Sequence, residues 1–466
     1  MKIKLLILPL VAIVVAAGSC VKNPETPQPD GPQTDPGTVK EMAVPAGFDW
    51  KMSRGITCNF ASAHLTRVYV ASAADAEPFA VVFAGDGAEP VTLNVPVPVK
   101  SLYVKYEKAD GTFVTKELPV MGATLAYTVP ADSKEFVDVA AGAAKTTEST
   151  TRAGYAGSNG GHILYPAAGW GTLMFEDLWP SYGDYDFNDL VVNYQVDLMM
   201  QNKNQAREMF IALCVRAIGG KLPYDLYLSL RGVRPDQIAD IKMDDLQNGV
   251  QSCDLVKVNS GNSRPAILKF VDIKQNLNKP GGTTFLNVRP GEEMKTGDLT
   301  VVSFNVTFRN AISTRDLAFD TFDFFIARDD QQQEIHLAGF EPVLFGADRY
   351  RALRTQPTSN ANTQSEYYYS NDNLVWGICI PAEIPHAYET RDFLTAYPNF
   401  AKWAQSGGVS NTDWYTDAPG NRNPENLVRM KESVPPVLLS EPALSHRGTA
   451  AGTEWKRMGT AEWQYR

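Results

Sequence analysis

Apolar and polar residues alternate with a period of two through much of this chain. Val192-Asn193-Tyr194-Gln195-Val196-Asp197-Leu198 alternates, and Val302-Ser303-Phe304-Asn305-Val306-Thr307-Phe308 does so more cleanly. Successive strand side chains point to opposite faces. This period therefore predicts antiparallel strands with one buried face and one wet face. Further strand-like runs cover residues 67–70, 79–83, 91–95, 102–106, 112–116, 210–215, 226–230, 267–271 and 322–326. Asp110-Gly111 between two of them predicts a hairpin turn. Helical pattern is confined to short stretches. The best is Asn399 to Gln405, stopped by Gly407-Gly408.

The chain thus reads as mainly β. Its 466 residues exceed one domain at a prior of about 150 residues each. Residues 41–138 form an N-terminal β region whose short strands recur at a sandwich-like spacing of about ten residues. Residues 162–430 form a larger antiparallel β-sandwich-type domain with a few short helices. Between them, 139–161 is an Ala-, Thr-, Ser- and Gly-rich linker, expected to be flexible. Residues 21–40 are a Pro-rich tether with little to bury. Residues 431–466 are an atypical Pro-, Ala- and Thr-rich tail with the composition of a disordered segment.

The beginning of the chain departs from all of this. Met1-Lys2-Ile3-Lys4 is basic, and Leu5 to Ala17 is apolar but short of the ~20 residues a bilayer span takes. This pattern is a secretory signal, here residues 1–20. It ends in Ala17-Gly18-Ser19-Cys20, which resembles a bacterial lipobox, with Ala17 where Leu is more usual. The expectation is lipidation of Cys20. Each buried CH₂ of an acyl chain contributes ~0.8 kcal/mol, so several chains anchor a protein firmly.

Charge narrows the partners. A net charge of −10 and a pI of about 5.2 argue against nucleic acid, whose binders are dense in Lys and Arg. An acidic balance in an exported protein does fit hard cations. Cys58, Cys214, Cys253 and Cys379 are widely spaced without a C-x-x-C pair, so zinc is not expected. Disulfides and buried free thiols both remain open for them. His64 has no Ser, Cys or metal-ligand context.

The most informative stretch runs from Phe175 to Val192. Glu176, Asp177, Asp184, Asp186, Asn188 and Asp189 place six carboxylate or amide groups in one loop. Calcium takes six to eight oxygen ligands at about 2.3–2.6 Å. A D-x-D-x-N run on a turning loop can aim three side-chain oxygens at one point. Gly183 allows a tight entry, and Glu176 and Asp189 can complete the shell. Calcium is the expected ion. Magnesium prefers fewer carboxylates, and zinc lacks its His and Cys partners. The loop is not an EF-hand, because its Gly and Glu positions are unmatched and no flanking helices are evident. An acidic hairpin turn with Asp and Asn capping local backbone is the competing reading. Mutual repulsion of packed carboxylates counts against it.

A second cluster comprises Asp329-Asp330 and Glu334-Ile335-His336-Leu337. Glu334 and His336 share one face of a strand. They are either an exposed pair or lie beside the acidic loop, as an extra ligand or as partners standing behind its ligands.

The stretch FEDLWPSYGDYDFNDLVVNYQVD closely resembles the signature of the LruC-domain family, lipoproteins of Bacteroidota and some other bacteria with a C-terminal domain of unknown function. Further matching segments are Glu334 to Leu337, Ile380-Pro381, Ala396 to Phe400 with Trp403-Ala404, Asp413-Trp414-Tyr415, and Gly420 to Leu427. Phe48-Asp49-Trp50 resembles the start of the family's N-terminal β region. The resemblance covers most of residues 41 to 430, and the tail after about Lys431 departs from it. The family has no settled activity. Its acidic motif is similar to one in large secreted adhesins, which implies calcium by analogy.

The expectation is a lipid-anchored envelope or surface protein, in the outer membrane with its body facing the periplasm or the cell surface. A calcium loop would serve binding or adhesion, with a glycan or a protein as ligand and the membrane reached through the N-terminal lipid. Trp179, Tyr182 and Tyr185 are aromatic candidates for sugar stacking or for core packing. A structural subunit of a surface assembly is the alternative. A glycan-acting hydrolase is a weaker one, since metal-bound carboxylates are poor general acids and no G-x-S-x-G, H-E-x-x-H or P-loop motif is present. The chain is not expected to be an enzyme.

Overall fold

The computed structural model describes residues 35–137, 160–201, 203–243, 254–258, 265–271, 273, 285–294, 299, 301–363, 367–428, 455–458 and 462–465. The signal peptide with Cys20, most of the tether and of the linker, and Cys253 lie outside the described residues.

In chain order the strands are β1 (Ser53–Ala61), β2 (Thr66–Ala71), β3 (Ala80–Ala84), β4 (Val91–Pro96), β5 (Ser101–Glu107), β6 (Phe113–Pro119), β7 (Thr124–Thr128), β8 (Gly161–Tyr165), β9 (Gly171–Phe175), β10 (Leu190–Met200), β11 (Gln205–Ala217), β12 (Asp225–Leu230), β13 (Ile238–Met243), β14 (Asp254–Lys257), β15 (Ala266–Val271), β16 (Val301–Ser313), β17 (Phe322–Arg328), β18 (Gln333–His336) and β19 (Gly377–Ile380). Two strands in the tail, Trp455–Met458 and Glu462–Tyr465, pair with each other. The helices are α1 (Gly346–Arg354), α2 (Phe393–Ala396) and α3 (Pro398–Gln405). None of the described helices is long and apolar enough to cross a membrane.

The fold is mostly β, as the alternation predicts. One large sheet runs β13-β16-β11-β10-β8-β3-β2-β5-β6, with β9 joining β10 and β19 joining β9. A three-stranded sheet, β4-β1-β7, and a five-stranded sheet, β14-β15-β12-β17-β18, complete the layers. Rings bridge the layers. Tyr194 of β10 lies 5.6 Å from Phe324 of β17, and Phe270 of β15 lies 5.8 Å from Phe304 of β16. The predicted hairpin is present: β5 pairs with β6, and the Asp110 carboxylate accepts from the Thr112 amide at 2.9 Å. The predicted helix is α3.

Three features differ from the pattern reading. First, the two β regions share a sheet, because β3 pairs with β8 through Ala80↔Ile163 and Val81↔His162. Gly161, at the end of the expected linker, already belongs to β8. Second, β10 is buried on both faces, not one. Its polar face is covered, and the side-chain amides of Asn193 and Gln195 donate within the fold. Asn193 Nδ2 donates to Gly171 O at 3.0 Å and to Thr172 Oγ1 at 2.9 Å, and Gln195 Nε2 donates to Gly169 O at 2.7 Å. Buried polar groups persist where such bonds replace water. Third, the end of the tether is part of the fold. The Val39 amide donates to the Asp392 carboxylate at 2.9 Å, and Trp50 Nε1 donates to Asn373 O at 3.0 Å. Phe48 and Trp50 pack on Trp403 with centroids 4.9 and 5.8 Å away. This strap closes a second apolar core around α2 and α3.

Cys58, Cys214 and Cys379 are free thiols, and burial pushes each up to about 12.

Candidate metal centre

The acidic segment is the β9–β10 connection. Phe175 and Leu190 face each other at its base, so the loop starts and ends on one edge of the register. Its two ends are tied together. The Asp177 amide donates to Asp189 Oδ2 at 2.7 Å, and the Glu176 amide donates to Trp376 O at 2.8 Å.

Within the loop, Tyr185 (φ 60°) and Phe187 (φ 53°) occupy the left-handed region. This conformation is uncommon for bulky residues and costs on the order of 1–3 kcal/mol each. The surrounding core holds it. Phe187 packs on Phe393 and Phe400 at 5.4 and 6.3 Å, and the Phe393 amide donates to Tyr185 O at 2.8 Å. As a result residues 185–188 are all buried. Gly183 serves a different purpose from the expected turn. A Cβ there would overlap Glu176 Oε2, so the glycine makes room for a carboxylate.

Backbone amides orient the carboxylates. Glu176 accepts from Phe187 N at 2.7 Å and Tyr185 N at 3.2 Å. Asp186 accepts from Thr390 N at 2.8 Å and Asn188 N at 3.1 Å. One oxygen each from Glu176, Asp184 and Asp186 then lie within 4.8 Å of one another. Oxygens across a calcium ion at about 2.3–2.6 Å per bond are up to about 5 Å apart, so the spacing fits. Glu176 and Asp186 are 0% and 1% exposed, and among the described residues no Lys or Arg forms an ion pair with either. Asp184 is exposed.

Without a cation this arrangement disfavours charge. Burial, then Asp189, Asp186 and Asp184, push the Glu176 carboxyl well above its ordinary range. Burial, then Asp184, Asp189 and Glu389, push Asp186 up to about 9. A bound dication reverses the balance, because it makes the charged forms the favoured ones.

The remaining predicted ligands adjoin this trio. Asp177 is buried, Asp189 is half-buried, and both line a cavity of about 780 Å³ together with Asp184. Asn188 is buried, and its Nδ2 donates to Ala387 O at 3.2 Å. The cavity also brings in Glu389, which pattern reading missed. Burial and then Asp184 raise its carboxyl, against Arg289 and Lys221. Glu389 sits far along the chain from the loop, outside any run of acids that would have marked it.

Glu334 and His336 are neither an exposed pair nor bonded to the acidic loop. Both are buried. His336 Nε2 lies 2.9 Å from Glu334 and its Nδ1 lies 2.8 Å from Asp323. Glu334 also accepts from the amides of Val343, Leu344 and Phe345 at 2.9–3.1 Å. These bonds use the groups that a supporting role at the loop would need. The cluster instead pins the segment before α1.

Of the aromatic candidates, Trp179 and Tyr185 are buried, at 1% and 0% exposure. Trp179 stacks on Tyr350 at 5.2 Å. Tyr182 is half-buried and its hydroxyl donates to Asp372. Core packing, not an open sugar platform, is what Trp179 and Tyr185 provide.

No curated protein matches the chain. A crystal structure of a candidate lipoprotein from Bacteroides ovatus is similar to it, with 22% identity, a TM-score of 0.56, and coverage of 78% of this chain and 99% of that one. At that identity the likeness shows a shared fold. Residues 204–415 match a family model described as a domain of unknown function, DUF4842, a stretch that holds Glu334, His336 and Glu389 and begins after the acidic loop.

Proposed function

We propose that this chain is a lipid-anchored envelope protein of the LruC-domain kind, whose β9–β10 loop binds calcium and whose body serves binding or adhesion. The observation that carries the calcium reading is the convergence of Glu176, Asp184 and Asp186 within 4.8 Å, two of them buried. Buried like charges without a counter-ion are costly, and calcium is the hard cation that all-oxygen sets of this kind accept. Asp177, Asn188 and Asp189 stand beside them. The lipobox-like Ala17-Gly18-Ser19-Cys20 supports anchoring through Cys20, and the outer membrane is the proposed site. The net charge of −10 supports a glycan or a protein as partner, not nucleic acid. The carboxylates serve a cation and no reaction is assigned to them.

Thermal unfolding tests this reading. About 1 mM calcium after EDTA should raise the midpoint by several degrees, magnesium should not, and Asp186→Ala should abolish the shift. Superimposed curves from a protein that contains no metal by elemental analysis would end it.

A further inference from the structure

We propose that the acidic site holds two calcium ions, the second above Gly219-Gly220 among Asn188, Glu389, Asp177 and Asp189. The proposal rests on the calcium reading of the loop and extends it.

Two partnerless oxygens mark the place. Asn188 is 0% exposed; its Nδ2 has a partner, but its Oδ1 is buried with none. Glu389 Oε2 is likewise buried without a partner. An unmade bond on a buried acceptor costs about 1–3 kcal/mol. Both oxygens address one space. A Cβ on Gly219 would overlap Asn188 Oδ1 and lie 2.7 Å from Glu389 Oε2. On the next residue, a Cβ on Gly220 would overlap Asp177 Oδ2 and lie 2.9 Å from Asp189 Oδ1. The glycine pair after β11 therefore leaves room for two pairs of oxygens, Asn188 with Glu389 at Gly219 and Asp177 with Asp189 at Gly220.

Among the described residues, nothing donates to the two partnerless ones. The Gly219 and Gly220 amides are used by Asn188 O and Asp189 O at 2.9 and 3.1 Å. Lys221 and Arg289 lie over the Phe285 ring, 5.6 and 4.2 Å from its centroid, and form no ion pair with Glu389. A cation is the species that satisfies acceptors facing one another. One amide oxygen and three carboxylates are a hard-ion set, open to water on the cavity side, as calcium accepts.

Charge favours the same. Glu176, Asp184 and Asp186 suit one ion. Asp177, Asp189 and Glu389 add three further carboxylates, and Asp184 lines the cavity that all three share. One dication offsets only a third of six negative charges.

Calorimetric titration of the whole mature protein, stripped with EDTA and then given calcium, counts the ions. Two per chain are expected. Glu389→Gln, at a half-buried position, should reduce the count to one with the fold intact by circular dichroism. One ion in the wild type overturns this proposal and leaves the single-calcium reading standing. No binding overturns both. Two ions in the wild type and two in Glu389→Gln would overturn the assigned ligands. The wild-type count decides even if the variant fails to fold.

Discussion

Replacing His336 with alanine should lower the unfolding free energy by about 3–5 kcal/mol, the cost of breaking a fully buried ion pair by removing one partner. His336 is 0% exposed between Asp323 and Glu334, with its ring stacked on Phe325 at 4.0 Å. Arg231 reaches the same Asp323 oxygen, Oδ2, at 2.5 Å. Removal of the imidazole leaves, among the described residues, Glu334 held by backbone amides and Asp323 by Arg231. Equilibrium denaturation in guanidinium, comparing midpoints at unchanged slope, measures the loss.

The same cluster should shape the pH profile. Burial lowers the His336 imidazole, but the charge and hydrogen bond of Asp323, then those of Glu334, outweigh it and hold the group above its ordinary 6.5. A raised imidazole stabilises the fold fully below 6.5, and that contribution fades as pH rises through the folded value. Burial raises the Glu334 carboxyl, but His336 and the amides of Leu344 and Phe345 outweigh it and leave the group below 4.5. A lowered carboxyl stabilises fully above 4.5 and fades as pH falls through the folded value. Both contributions are therefore complete between about 4.5 and 6.5. His336→Gln should lower stability within that window and flatten the fall that the wild type shows as pH rises above about 6.5. A profile unchanged by the substitution would show that the pair is not ionised in the folded protein.

Trp414→Ala should be comparably severe, at about 3–5 kcal/mol for a large side chain deleted from a packed core. Trp414 is 0% exposed and meets Phe393, Phe400, Trp403, Tyr397 and Tyr415 with centroids 4.9–5.8 Å away. Such ring pairs contribute about 0.5–1.5 kcal/mol each beyond their area. The effect should reach the acidic loop. Phe393 and Phe400 also support Phe187, which is held in the left-handed region between Asp186 and Asn188. Calcium affinity should therefore fall along with the melting temperature. A large loss of stability with unchanged calcium affinity would separate this core from the site.

Period-two alternation, the Asp110-Gly111 turn and the Asn399 to Gln405 helix were local signals, and the structure realises each of them. Such signals are written in neighbouring residues, so one sequence suffices to read them. Alternation alone cannot say what covers the second face of a strand. Asn193 and Gln195 look like wet positions in β10, yet other segments cover them and supply their bonds. Likewise Glu334 and His336 look like an exposed pair until Asp323 and the amides of residues 343–345 arrive.

The acidic site divides along the same line. Glu176, Asp177, Asp184, Asp186, Asn188 and Asp189 are close in sequence, and a loop of that length must bring them near one another whatever the fold. Their identity as oxygen donors is thus a property of the sequence. Which oxygens converge, and how deeply, is a property of the fold. Burial of residues 185–188 comes from the aromatic core of α2 and α3, and Glu389 and the Gly219-Gly220 pair come from distant segments. Burial and long-range neighbours set the electrostatics, because the cost of a charge depends on what replaces its water, and only the tertiary structure decides that.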